Sequence, residues 1–247
     1  MYPIPNRLWQ CIVLFFASLF IGYSPSFFLD LDAKIIMLLL FPMIACVLFG
    51  IIWLISLFKK RPLPIIRVSV SRNSLLLIFF AALTVIGVRF GFWAFAPHES
   101  GASQSSVYIL SAILIGPIVE EFIFRGVFLN GLLKRYSAWF SIISISLFFG
   151  LLHFDYSMVQ LQQDISIQVV NFIQGFILGI ILGFVFWKTG SITPSILLHF
   201  LANLISIMVL DNLSVKSTTI QYTIGAFACV LATFAFVVSF KQQVNNI

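Results

Sequence analysis

Long apolar runs recur along the chain and leave little room for any fold other than a bundle of membrane helices. A helix that crosses a bilayer needs about 20 predominantly apolar residues. The runs are near or somewhat below that length, and the first and the fifth are the shortest. They are Leu8–Gly22, Ile35–Phe58, Leu75–Ala96, Val107–Leu133, Trp139–His153, Val169–Trp187, Ile192–Leu210 and Thr219–Phe240. We therefore expect an all-α, polytopic membrane protein with about eight transmembrane helices.

The composition excludes an ordinary soluble domain. Of the 247 residues, 61% are hydrophobic and 9% are charged, whereas about 25% of a soluble domain is charged. We find no internal repeat and no soluble domain, so we expect residues 1–247 to form a single transmembrane domain with a motif-bearing core at 107–210. The three cysteines lie in apolar runs without metal-binding spacing, which argues against a disulfide framework.

The basic residues predict the orientation, because Lys and Arg collect in cytoplasmic loops. With the N-terminus inside, only Lys34 and Lys216 fall in outer loops, and Arg89 and Arg125 lie inside helices. The inner segments hold Arg7, Lys59, Lys60, Arg61, Arg67, Arg72, Lys134, Arg135, Lys188 and Lys241. The net charge of +6 is therefore a topology signal, and we expect no nucleic-acid partner.

This orientation places both termini in the cytoplasm, and the lack of organellar signals favours a prokaryotic plasma membrane. The first run follows Arg7 and has some features of a signal peptide, but we expect an uncleaved helix. The partner expected from these features is the lipid bilayer. The sequence gives no oligomeric state.

Three ionisable residues, Glu120, Glu121 and Arg125, lie inside the fourth run. Such a side chain at the bilayer centre costs roughly 2.5–3.5 kcal/mol on insertion scales. Glu121 and Arg125 are four apart and share a helix face, in the favourable order for an ion pair. Glu120 is rotated by about 100°, so we expect it in a polar cavity as the working carboxylate, with Pro117 loosening the helix ahead of it. The simpler alternative is a buried salt bridge with Glu120 as a bystander.

Two later runs each carry a histidine with a second residue four positions away. Phe149 and His153 share a face at the end of the fifth run, and His199 and Asn203 share one in the seventh. Taken separately, a histidine at a helix end is more often interfacial, and a His–Asn pair can be an interhelical hydrogen bond. With Glu120 they suffice for hydrolysis, since a carboxylate and an imidazole can activate water while a second imidazole and an amide stabilise an oxyanion.

Two further features are expected to be structural. Gly175, Gly179 and Gly183 form a stripe with four-residue spacing in the sixth run, and small residues of this kind let membrane helices approach closely. Arg89 lies four residues from Trp93 in the third run. We expect its side chain to extend outward or to lie against the indole ring.

The order and spacing of the polar residues resemble the three motifs of the CAAX protease and bacteriocin-processing family of intramembrane proteases. The matching residues are Glu120-Glu121-x-x-x-Arg125, Phe149-x-x-x-His153 and His199-x-x-x-Asn203. The resemblance covers about residues 116–206, with all motif residues present and in order. It implies an eight-helix membrane protease that acts on a membrane-associated or lipidated protein or peptide.

The resemblance also implies a role for each motif residue. Glu120 is similar to the family's catalytic glutamate and His153 to its partner histidine, while His199 and Asn203 correspond to the residues on the oxyanion side. The supporting residues are Glu121, Arg125 and Phe149.

Two alternatives stay open. Glu120, His153 and His199 are acceptable zinc ligands, but a ligand role for Glu120 would leave Glu121, already paired with Arg125, as the only base. We therefore expect no cofactor, with zinc as the alternative. The other alternative is a membrane protein without proteolytic activity: a transporter, a peptide-binding or immunity protein, or a scaffold. Transporters often show paired broken helices, whereas here one Pro-interrupted helix lies near the charges.

Overall fold

A computed structural model describes residues 7–14, 69–95, 109–154, 165–209 and 218–244 of the chain. Within these ranges the protein is all-helical, with seven helices and no strand. The all-α class predicted from the apolar runs is therefore confirmed for the described residues. The run Ile35–Phe58 and most of Leu8–Gly22 lie outside them, so the count of eight transmembrane helices stays a prediction.

Helices α2 to α7 follow the predicted apolar runs to within four residues at each end, and α1 is described over the first part of its run. The helices are α1 (8–14), α2 (Leu75–Phe95), α3 (109–132), α4 (Ala138–Leu152), α5 (Ile165–Thr189), α6 (193–209) and α7 (Thr218–Val244). The largest differences are four residues, at the start of α5 and at the end of α7. The first turns of α5 contain the polar residues Ser166 and Gln168, so a search for apolar runs does not include them.

Within the described ranges, α2 and α5 are long and apolar enough to cross a membrane. Shorter apolar helices occupy Ala138–Leu152, Thr193–Ile207 and Ile220–Ala235. Large apolar side chains also stay exposed on α7, where Phe227 is 65% and Phe234 is 63% accessible. A surface of this kind suits lipid better than water, so these helices indicate a membrane protein.

The chain divides into two compact units, and one of the boundaries between them falls within α4 after Ser141. Among the described elements, the first unit contains α1, α3 and the start of α4. The second unit contains α2, the rest of α4, and α5 to α7. The first predicted motif therefore lies in one unit and the other two lie in the second.

In the first unit, α3 departs from regular α-helical geometry. Its α-helical segment Gly116–Glu121 is preceded by the π-helical turns Ser111–Ile115 and followed by the π-helical segment Phe122–Leu129. Pro117 cannot donate a backbone hydrogen bond, and its ring crowds the carbonyl four residues earlier. The wider turns directly before it agree with the loosening that the sequence predicted. The carboxylates of Glu120 and Glu121 thus lie at the end of a short α-helical segment between two π-helical ones.

In the second unit, small residues let α2 and α7 pack at close range. A Cβ at Gly87 would lie 2.7 Å from the Cβ of Ala232 and would also meet the carbonyl oxygen of Ala228. A Cβ at Gly91 would lie 2.7 Å from the Sγ of Cys229. Close approach through small residues is the packing mode typical of membrane helices, and here it fixes α7 against α2.

The helix that carries the third motif, α6, packs against α2 and α5. Trp93 and Ala94 of α2 form a buried apolar cluster with Ile205 of α6. The Ser195 hydroxyl, in the first turn of α6, donates to the carbonyl oxygen of Leu182 in α5 at 3.1 Å. Both contacts hold α6 within the second unit, one on each side of its motif residues.

Candidate functional site

The ion pair predicted in α3 is present and completely buried. Nη1 of Arg125 donates to Oε1 of Glu121 at 2.7 Å, and the two side chains are 1% and 0% exposed. Removal of one partner of such a pair would leave the other as an uncompensated buried charge. The pair is therefore suited to hold α3 in a fixed local structure.

Glu120 is half-buried, and its charge also acts on Arg125, less strongly than that of Glu121 does. Regular α-helical geometry places Glu120 about 100° from the face of the ion pair. Arg125, however, lies in the π-helical segment of α3, and it follows Glu120 by five residues, which is the hydrogen-bonding repeat of a π-helix. The spacing of five residues is compatible with an electrostatic interaction between Glu120 and this guanidinium.

His153 lies in the turn that directly follows α4. Its Nδ1 is 2.8 Å from the carbonyl oxygen of Phe149. A carbonyl oxygen can only accept, so Nδ1 carries the proton and Nε2 of the neutral ring carries the lone pair. The backbone of Phe149 thereby selects the tautomer in which Nε2 is the basic nitrogen.

The ring of Phe149 packs against both histidines of the predicted site. Its centroid is 4.8 Å from that of His153 and 5.5 Å from that of His199, the second contact being edge-to-face at 75°. Phe149 is fully buried and His199 is 1% exposed. Asn203, one turn further along α6, is half-buried. The second unit thus brings two predicted catalytic residues onto one phenyl ring.

Two glycines of the α5 stripe, Gly175 and Gly179, are in close contact with α4 and the turn that follows it, in keeping with the close helix packing that the sequence predicted. A Cβ at Gly179 would lie 2.9 Å from the Cβ of Ser146. At Gly175 the nearest group is instead the imidazole of His153, with Cγ and Nδ1 both at 2.9 Å. The four-residue spacing predicted a close helix pair, but it did not reveal that one of these glycines borders the histidine.

Arg89 of α2 makes a hydrogen bond that the sequence did not predict. Its Nη1 donates to Oε1 of Gln174 in α5 at 2.7 Å. The two residues are 85 positions apart, so no local spacing could have indicated the pair. The bond joins α2 to α5 beside Gly175.

The predicted site residues fall into two groups, one in each unit. The first unit holds Glu120, Glu121 and Arg125, and the second holds Phe149, His153, His199 and Asn203. Across the part of the chain that the structure describes, no three His, Cys, Asp or Glu side chains are grouped to hold a metal ion. The catalytic roles, and the zinc alternative of Glu120, His153 and His199, stay predictions.

Replacing Phe149 with leucine retains an apolar side chain but removes both contacts with the histidine rings. Aromatic pairs contribute about 0.5–1.5 kcal/mol each, so we expect the free energy of unfolding to fall by about 1–3 kcal/mol. Thermal unfolding in detergent measures this loss. The matched control is Phe184→Leu, because Phe184 is also buried but makes an edge-to-face contact with Trp187. A larger loss at Phe184 would contradict the role of Phe149 in joining the two histidines.

Comparison with known proteins agrees with the motif resemblance. Residues 102–205 match the family model described as type II CAAX prenyl endopeptidase Rce1-like. No curated protein and no solved structure matches the chain. The matched region contains all three motifs, including Glu120 at one end and Asn203 at the other. The resemblance is thereby confirmed for residues 102–205, which are similar to the type II CAAX prenyl endopeptidase Rce1-like family.

Proposed function

We propose that the chain is an intramembrane endopeptidase that hydrolyses a peptide bond in a membrane-associated or lipidated protein or peptide. The Rce1-like match carries this proposal, because it spans the three motifs and the family implies CAAX-type intramembrane protease activity in general. The apolar helices α2 and α5 support a substrate presented in the membrane.

The proposed architecture has about eight transmembrane helices around a polar intramembrane cavity, with both termini in the cytoplasm of a prokaryotic cell. The distribution of Lys and Arg between predicted inner and outer loops supports this topology. Buried ionisable groups in α3 support a polar interior, because charged side chains in membrane helices face protein or water rather than lipid.

In the proposed reaction, Glu120 and His153 act on the attacking water. The carboxylate of Glu120 takes the water proton as the oxygen bonds to the scissile carbonyl carbon, and the proton passes to the amine nitrogen as the C–N bond breaks. His153 is proposed to orient the water by accepting a hydrogen bond from it at Nε2. The Phe149 carbonyl supports this role, because it binds Nδ1 and so makes Nε2 the accepting nitrogen of the neutral ring. Proton transfer by a positioned side chain contributes about 10²–10⁴-fold to the rate.

His199 and Asn203 are proposed to donate hydrogen bonds to the oxyanion of the tetrahedral intermediate. They follow one another by one turn on α6, so their side chains emerge on the same face of the helix. The burial of His199 supports this role, because a donor stabilises developing charge most strongly where water is excluded. Each such donor is worth roughly 10²–10³-fold in rate.

Cleavage is expected to survive a stringent chelator, because each proposed step uses side chains of the chain itself. The His153 arrangement would also suit a metal ligand, since ligating histidines commonly donate their other N–H to a backbone carbonyl. The assay compares purified protein before and after dialysis against the chelator. Loss of activity that stoichiometric zinc restores would favour the zinc alternative with Glu120, His153 and His199.

The proposed function is tested with purified protein in liposomes and a panel of membrane-presented peptides, including peptides with a lipidated C-terminal cysteine. We expect one class to be cut at a single position by the wild type and to stay intact with His153→Ala. A peptide that binds the wild type and dissociates intact, with no peptide cut, would favour a binding protein or transporter.

A further inference from the structure

The imidazole of His153 is enclosed on two sides within the second unit. On one side, the ring centroid of Phe149 lies 4.8 Å from that of the imidazole. The Nδ1 atom of His153 also donates to the Phe149 carbonyl oxygen at 2.8 Å. On the other side lies the backbone of α5 at Gly175. We propose that Gly175 is a positioning residue, whose missing side chain lets α5 close on the imidazole and hold it on the Phe149 carbonyl. The catalytic consequence rests on the proposed function.

The space at Gly175 is smaller than a methyl group needs. A Cβ there would lie 2.9 Å from both Cγ and Nδ1 of His153, whereas carbon atoms in favourable contact are about 3.5–4.0 Å apart. Cγ is the ring atom nearest the backbone, so the imidazole cannot yield by moving only its far end. The ring would have to rotate, and Nδ1 would leave the Phe149 carbonyl.

The helices themselves cannot easily separate to make that space. On α4, a Cβ at Gly150 would lie 2.9 Å from the carbonyl oxygen of Phe172 in α5, so the two backbones are in close contact beside His153. One turn further along α5, a Cβ at Gly179 would also lie 2.9 Å from the Cβ of Ser146 in α4. Because these contacts hold α5 in place on both sides of Gly175, an added methyl group displaces the imidazole rather than the helix.

Displacement of the imidazole changes which nitrogen is basic. Without the bond from Nδ1 to the Phe149 carbonyl, the neutral ring is no longer held in one tautomer, and Nε2 carries the proton part of the time. Nε2 also points in a new direction. Gly175 therefore acts on the reaction through the orientation and the tautomer of His153, without touching the substrate.

The first test compares Gly175→Ala with Gly179→Ala, which adds the same methyl group to the same stripe but meets Ser146. Loss of the partner that orients a metal-ligating histidine typically costs 10–100-fold in affinity or activity. By analogy with that orienting effect, we expect kcat to fall by about 10–100-fold for Gly175→Ala, with KM nearly unchanged. We expect Gly179→Ala to retain more of its kcat than Gly175→Ala. In ¹⁵N spectra of the histidine rings, Gly175→Ala is expected to show a mixture of His153 tautomers. An unchanged tautomer, or equal losses of kcat in the two variants, would overturn the proposal.

The second test measures thermal stability and requires no activity. Gly175→Ala is expected to lower Tm by several degrees in the wild type and by less in His153→Ala, where the ring is absent and the Cα of Gly150, at 3.2 Å from the added Cβ, is the remaining close contact. Gly179→Ala is expected to lower Tm equally in both backgrounds. If Gly175→Ala alone does not fold, folding of the protein with both Gly175→Ala and His153→Ala supports the same steric conflict between the added methyl group and the imidazole. Equal destabilisation by Gly175→Ala in both backgrounds, or failure of both proteins to fold, would overturn the proposal. If the loss of Tm from Gly175→Ala depends on His153 but the wild type cuts no peptide, the contact is supported and only the proposed function is refuted.

Discussion

Replacement of Glu120 by glutamine is expected to lower the rate of peptide cleavage by about 10²–10⁴-fold. Glutamine has nearly the same shape, but its amide cannot accept a proton from water at neutral pH. The change should leave the fold intact, because the buried hydrogen bond of Arg125 goes to Glu121 and the charge of Glu120 acts on Arg125 less strongly. Cleavage rates of purified variants in liposomes measure the effect.

Glu120→Asp is the matched control, because it keeps the carboxylate and shortens the side chain by one methylene group. We expect it to retain more activity than Glu120→Gln, since misplacement of a catalytic group by about 1 Å costs up to about 10²-fold. Thermal unfolding of both variants should resemble that of the wild type. Undiminished cleavage by Glu120→Gln would show that Glu120 is a bystander beside a buried salt bridge.

Breaking the buried ion pair is expected to produce the largest loss of stability. Removal of one partner of a buried pair costs about 3–5 kcal/mol, so Arg125→Met and Glu121→Gln should each unfold well below the wild type. Thermal unfolding of the wild type and both variants in the same detergent measures these losses.

A double-mutant cycle isolates the energy of the pair from the other effects of each substitution. The protein with both Glu121→Gln and Arg125→Met is expected to be more stable than the two single losses would predict when added, because it leaves neither partner of the 2.7 Å contact as an uncompensated charge. Denaturant unfolding of the four proteins in one detergent provides the cycle. Additive losses would mean that the two side chains are not coupled, in conflict with the buried geometry.

The features predicted successfully from the sequence are those that depend on local spacing. The apolar runs locate α2 to α7 to within a few residues at most ends, because length and hydropathy decide whether a segment can be a membrane helix. The pair of Glu121 and Arg125 follows from a spacing of four residues within one helix. The pairing of Phe149 with His153 follows in the same way, although the hydrogen bond to the backbone carbonyl is a detail that spacing alone does not contain.

The features that sequence analysis missed depend on which distant segments meet, or on departures from regular helix geometry. The contact between Phe149 and His199 joins α4 to α6, and the contact between Gly175 and His153 joins α5 to the end of α4. Neither can be read from spacing within one run. The π-helical segment that contains Arg125 was also missed, because an angle of 100° per residue was assumed throughout α3. Pro117 is the residue in α3 from which a departure from regular helix geometry was predicted.

The most direct test of peptide hydrolysis by this site is cleavage in ¹⁸O-labelled water, followed by mass spectrometry of the products. The proposed mechanism predicts that the wild type places ¹⁸O in the new C-terminal carboxylate of a membrane-presented peptide, at one position, with or without chelator. It also predicts that Glu120→Gln and His153→Ala yield almost no labelled product under the same conditions. Labelled product formed by Glu120→Gln at the wild-type rate would contradict the assignment of Glu120 as the catalytic base.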